Sequence, residues 1–133
     1  MGIKKFRGDT TREFLIVLVG SAILLLMARP AYNAVMQRVK SYEAKMQLRF
    51  ISNLQVQYQL QHAKYSANFE DIDFVPPKKV TEGGEARYEY YITEASNTSF
   101  KARAEAVEDF DGDGVFNIWE IDENEKPIQI VKD

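Results

Sequence analysis

The chain has 133 residues, 45% of them hydrophobic, with a formal net charge of −3 and no cysteine. That length holds one domain and an additional segment. The mild negative balance, with basic residues scattered apart from Lys4, Lys5 and Arg7, gives no electrostatic footprint for nucleic acid. Without cysteine there is no disulfide to staple a small exported domain, no thiol nucleophile, no thiolate-bound metal and no covalent haem attachment.

In chain order, the first feature is the run Phe14 to Ala28, fifteen residues without a charge, preceded by Lys4, Lys5 and Arg7. As a helix this run spans ~22 Å at 1.5 Å per residue, short of the ~30 Å hydrocarbon core. Three readings compete. One is a cleaved secretory signal peptide, whose basic and apolar regions are present but whose small-x-small cleavage site is not, since Ala28-Arg29-Pro30-Ala31 follows. Another is a signal anchor, oriented by its basic residues with the N-terminus in the cytoplasm.

The third reading rests on Gly8 at the end of the basic leader, Glu13 at the edge of the apolar run, and Pro30 beyond it. In this the leader resembles that of type IV pilins and type II secretion pseudopilins. The resemblance implies a prepilin peptidase that cuts after Gly8 and exposes Asp9. Glu13 is then the fifth residue after the cut and Pro30 the twenty-second, the two positions the family marks. It also implies that Glu13 meets the N-terminal amine of a neighbouring subunit in a filament. An ionised carboxylate at a bilayer boundary needs such a partner. Asp9 and Arg12 stand where the family has an aromatic and an apolar residue.

From Pro30 to about Tyr65 the sequence predicts helix, with apolar residues at Val35, Val39, Tyr42, Met46, Phe50, Leu54 and Tyr58, and with Arg38, Lys45, Arg49, Asn53 and Gln57 assigned to the opposite face. Joined to the apolar run, this makes one helix of roughly fifty residues, far beyond the usual globular length, with Pro30 expected to kink it. The apolar stripe is expected to pack on a sheet. His62, the single histidine, has no partner for a transition-metal site.

Residues 66–86 contain Pro76, Pro77, Gly83 and Gly84 and are expected to be a connecting loop. Strands are predicted at Arg87–Ala95, Phe100–Val107, Phe116–Ile121 and Pro127–Val131. The second alternates Phe100, Ala102, Ala104 and Ala106 against Lys101, Arg103 and Glu105. The fold class is therefore α+β: a long N-terminal helix, transmembrane in its first half and amphipathic in its second, on a three- to four-stranded antiparallel sheet. The expected division is leader 1–8, helix 9–65, connector 66–86 and β domain 87–133.

Residues 109–120 read DFDGDGVFNIWE. Set on the twelve-residue EF-hand loop, the ligand places one, three and five hold Asp109, Asp111 and Asp113, and Gly114 takes the sharp bend. Val115 offers a backbone carbonyl, Asn117 the ninth place and Glu120 the twelfth. Hard oxygen donors spaced by two suit Ca²⁺. Because the flanks are strand-like, the loop is expected to act as a structural clip rather than a helix-opening sensor.

No nucleophile–base pair, phosphate loop or zinc pattern occurs, so an enzyme is not expected. The leading expectation is a structural subunit of a type IV pilus or pilus-like filament with a calcium-stabilised C-terminal domain. Its implied partners are further copies of itself, related minor pilins, the prepilin peptidase and an inner-membrane assembly platform. It would pass once through the inner membrane, N-terminus in the cytoplasm, before joining an extracellular or periplasmic filament. The alternatives are a pseudopilin of a type II secretion system and a non-polymerising, membrane-tethered calcium-binding module.

Overall fold

A computed structural model describes the backbone of residues 2–133 and the side chains of residues 11–26 and 35–133. The chain is α+β. Helix α1 (Gly2–His62) is followed by strands β1 (Tyr88–Ala95), β2 (Phe100–Ala106), β3 (Ile118–Asp122) and β4 (Ile128–Val131). Two compact units divide it, residues 1–36 and 37–133.

In the first unit, the side chains of Phe14 to Leu26 are apolar apart from Ser21, cover every side of the helix and are mostly exposed: Phe14 63%, Ile16 71%, Leu24 69%, Leu25 70%. Among the described residues, however, no helix is long and apolar enough to cross a membrane. The expectation of a transmembrane half is thus not met there. The uncharged run is fifteen residues long, bounded by Arg12 and Glu13 before it and Arg29 after it, and covers ~22 Å of the ~30 Å hydrocarbon core. Gly8, Asp9 and Pro30 have side chains outside the described residues.

In the second unit, the four strands form an antiparallel meander in the order β1-β2-β3-β4. Register pairs Tyr90 with Ala104, Ala104 with Trp119, and Ile118 with Val131. Strand β2 buries every second residue, Phe100, Ala102, Ala104 and Ala106. That face joins Tyr88, Tyr90, Trp119 and Ile121 from the neighbouring strands to Ala44, Leu48 and Ile51 of α1 in one core.

The helix face that packs on the sheet differs from the one the sequence predicts. Val39, Tyr42, Met46 and Phe50 remain 51–61% exposed, whereas Ala44, Leu48, Ile51, Ser52 and Gln55 are buried. The reason is steric. The three alanines of β2 leave room above the sheet that Leu48, Ile51 and Gln55 fill together with Ala44 and Ser52. Tyr42 and Met46 stay exposed, the half-exposed Phe50 ring meets Phe74 at 5.9 Å, and Leu54 and Tyr58 of the predicted stripe pack at the margin of the core. At 100° per residue Arg38, Arg49 and Asn53 lie on the same outward side as this stripe, not opposite it; all three are exposed.

Residues 63–87 are irregular, as their prolines and glycines dictate, apart from a single 3-10 turn at Val80–Glu82. Two devices fasten the helix to the rest of the unit. Gln55 donates its side-chain N–H to the Ser66 carbonyl at 2.7 Å and accepts from the Ser66 N–H at 2.9 Å. The Glu43 carboxylate accepts from the Arg87 N–H at 3.1 and 3.2 Å and from the Tyr90 hydroxyl at 3.2 Å.

Candidate metal centre

The loop between β2 and β3 is a tight coil held by its own aspartates. The Asp109 carboxylate accepts from the Gly112 N–H at 2.9 Å and from the Gly114 N–H. Asp111 accepts from the Asp113 N–H at 3.1 Å, and Asp113 from the Val115 N–H at 2.8 Å. Gly112 and Gly114 have φ of +78° and +83°, a region where a side chain is strained. These turns aim successive carboxylates into one space. The loop is anchored to the core through Phe110, whose ring meets Tyr88 edge-on at 5.9 Å and lies under the Lys40 ammonium at 4.3 Å.

Asp109, Asp111 and Asp113 are joined by Asp133, and each of the four offers a carboxylate oxygen within 4.8 Å of the others. Asp133 follows β4 directly. The pairing of Ile118 with Val131 carries the chain back along β3 until residue 133 is level with the loop. One of its oxygens accepts from the Phe110 N–H at 2.6 Å. The other, Oδ1, is buried without a hydrogen-bond partner.

The remaining predicted ligands are placed elsewhere. Asn117 is buried and accepts from the Tyr88 hydroxyl at 3.1 Å, so its amide serves the core. Glu120 stands on β3 and pairs with Arg103 across the sheet at 3.1 Å. Val115 keeps its place after the bend at Gly114. The twelfth residue of an EF-hand loop returns to the ion because a helix follows it. Here a strand follows, advancing about 3.3 Å per residue, and it carries Glu120 away. Asp133, not Glu120, is the fourth carboxylate gathered at the loop. Its role was hidden from sequence reading because it depends on strand register, although an acid two residues beyond the last strand is the pattern that could have suggested it.

Two of these crowded carboxylates are shifted in opposite directions. Desolvation raises the Asp109 carboxyl, but the N–H groups of Gly114 and Gly112 outweigh it, and the group is held below the ordinary carboxylate range. Asp113 is shifted upward: the Val115 N–H pulls it down, while desolvation and the neighbouring Asp111 and Asp109 push harder the other way. Four carboxylates with no nitrogen or sulfur donor are the oxygen-only donor set that a hard divalent ion takes. The unpartnered, buried Asp133 Oδ1 fits the same reading.

Of the residues expected to act in assembly, Glu13 lies exposed in the first unit. Gly8, Asp9 and Pro30 fall outside the described side chains. No protein-family model matches this sequence, and no curated protein matches it either.

Proposed function

We propose that this chain is a structural subunit of a type IV pilus or pilus-like filament. It is tethered in the inner membrane through the N-terminal part of α1, is cut after Gly8 by a prepilin peptidase, and polymerises through the same helix. The observation that carries the reading is the bare apolar circumference from Phe14 to Leu26. A helix that is hydrophobic on all sides needs lipid or other helices around it. Glu13 at its edge needs a cationic partner, and an amine freed at Asp9 supplies one. The leader of Gly8, Glu13 and Pro30 supports a pilin over a generic anchor. The decisive experiment is intact mass of the protein recovered from a host with its own prepilin peptidase. A mature chain starting at Asp9, together with loss of filaments in Glu13→Ala at unchanged membrane insertion, is the expected result. A chain that still begins at Met1 overturns the reading in favour of a membrane-tethered module that does not polymerise.

Within the same reading, residues 109–115 and Asp133 bind Ca²⁺ and fasten the C-terminus to the β2–β3 loop. Without a disulfide, binding that occurs only in the folded state stabilises the domain. Extracellular sites of this kind bind at ~0.1–1 mM, which suits a compartment rich in calcium. Calorimetric titration with Ca²⁺ and with Mg²⁺ tests this directly; equal heats for both ions would remove the preference for calcium.

A further inference from the structure

The hairpin between β1 and β2 turns through Ser96, Asn97, Thr98 and Ser99, between the paired Ala95 and Phe100. Ser96 closes it. Its N–H donates to the Ser99 carbonyl at 2.8 Å, and its hydroxyl oxygen accepts from the N–H groups of Thr98 at 3.3 Å and Ser99 at 3.0 Å. The Ser99 hydroxyl lies 3.0 Å from that same oxygen. The turn is fixed to the rest of the unit, since the Tyr65 N–H donates to the Ser96 carbonyl at 2.9 Å and the Tyr65 ring meets Phe100 at 5.0 Å. Asn97 takes no part in this network. An asparagine in a turn ordinarily bonds the backbone two residues on, but here Ser96 fills that place. The Asn97 side chain is exposed and forms no hydrogen bond among the described residues.

We propose that Asn97 is the acceptor of an N-linked oligosaccharide. Of the six asparagines in the chain, Asn97 alone opens the pattern Asn-x-Ser/Thr with a residue other than proline in the middle, as Asn97-Thr98-Ser99. The transfer needs both ends of that triplet. The Asn97 Nδ2 bonds to C1 of the first sugar of a lipid pyrophosphate-linked oligosaccharide. The C1–O bond to the pyrophosphate breaks, the lipid pyrophosphate leaves with the bonding electrons, and the amide gives up one proton to a base of the transferase. The Ser99 hydroxyl is the group by which the transferase recognises the acceptor. The fold sets both on one turn, at the end of the sheet opposite Tyr88 and Ala106 and so away from the aspartate loop. A glycan is bulky and solubilising and belongs on a surface turn. Because Ser96 alone shapes the turn, modifying Asn97 takes no hydrogen bond from the fold. The inference rests on the filament reading in one respect: it needs the second unit outside the cytoplasm, where such transferases act.

The test separates the acceptor from the topology. In the first arm the full-length chain, purified in detergent, is incubated with a single-subunit oligosaccharyltransferase and a lipid pyrophosphate-linked oligosaccharide, and its intact mass is read. The expected result is a gain of one oligosaccharide, lost in Asn97→Gln and in Ser99→Ala and kept in Ser99→Thr and in Asn68→Gln. A synthetic peptide of residues 93–103 serves as the unfolded comparison. A peptide that is modified while the folded chain is not overturns the proposal, because the turn then hides what its sequence offers. No gain in either, or a gain that survives Asn97→Gln, overturns it as well. In the second arm the chain is made in cells whose transferase faces away from the cytoplasm. Modification there supports the acceptor and the outward placement of the second unit together. Modification of the purified chain without modification in those cells supports the acceptor and counts against the outward placement instead.

Discussion

The side chain of Asp133 caps the N–H of Phe110 at 2.6 Å, which ties the last residue of the chain to the loop between the two central strands. One carboxylate oxygen makes that bond and the other is buried and unpaired beside Asp109, Asp111 and Asp113. Like charges this close repel unless a cation relieves them. Calcium should therefore raise the melting temperature of the wild-type chain relative to chelator, and Asp133→Asn should abolish most of that increment. Glu120→Gln should leave the calcium increment in place, because Glu120 belongs to Arg103. Differential scanning calorimetry of the three proteins with and without Ca²⁺ separates the two assignments. An increment lost in Glu120→Gln and kept in Asp133→Asn would restore the EF-hand ligand set.

The strands and the loop could be read along the chain because their information is local. Phe100 to Ala106 alternates with period two, and Asp109, Asp111, Asp113 and Gly114 define a bend by spacing alone. The packing face of α1 and the part played by Asp133 could not be read that way. The helix face is decided by what lies beneath it, and the space above the alanines of β2 is filled by Leu48, Ile51 and Ala44 rather than by Tyr42 or Met46. The larger side chains give the stronger periodicity along the sequence, but size alone does not fix burial. Asp133 reaches the loop only through the register of β4 on β3, a relation between residues thirteen apart in sequence that no local pattern announces.

The reciprocal bonds between Gln55 and Ser66 are wholly buried. Ser66 is further held by its hydroxyl, which donates to Asp71 at 2.7 Å and accepts from the Asn68 N–H at 3.0 Å. Gln55→Leu keeps the volume but strands one backbone N–H and one C=O. Each buried group left unpaired costs about 1–3 kcal/mol, so a loss of roughly 2–6 kcal/mol is expected for the two. Equilibrium denaturation in urea measures it. A loss below about 0.5 kcal/mol, the range of an ordinary surface change, would show that water replaces the pair.

Gly84 is required for a different reason. A Cβ at this position would meet the Lys78 carbonyl oxygen at 2.0 Å and its carbon at 2.4 Å, and that carbonyl already accepts from the Ala86 N–H at 3.0 Å. Backbone cannot swing aside as a side chain does. Gly84→Ala is expected to destabilise the second unit by at least about 2 kcal/mol and to break the bridge between Lys79 and Ala86. Gly20→Ala, with nothing within 4 Å of its Cβ, is the control that should leave stability unchanged. Amide exchange at Ala86 and urea midpoints of both variants check the pair.

The three tyrosines of β1 set the alkaline limit of the fold. Burial pushes the Tyr88 and Tyr90 hydroxyls well above their ordinary value of 10, with Glu43 adding to the shift in both. Tyr91 is pushed up to about 12, first by its hydrogen bond to Glu89 and then by desolvation. A group whose folded pKa is raised holds its proton more tightly in the folded chain. Its contribution is complete below pH 10 and is lost as pH rises through the folded values. Stability should therefore be flat up to about pH 10 and fall steeply above it. Tyrosinate absorbance from Tyr88 and Tyr90 should appear only with unfolding. Tyr90→Phe should remove part of the steep fall at a cost of about 1.5–3 kcal/mol at neutral pH, the value of one hydrogen bond to a charged group, here Glu43. Titration of Tyr88 and Tyr90 near pH 10 in a chain whose circular dichroism is still native would contradict their burial against the helix.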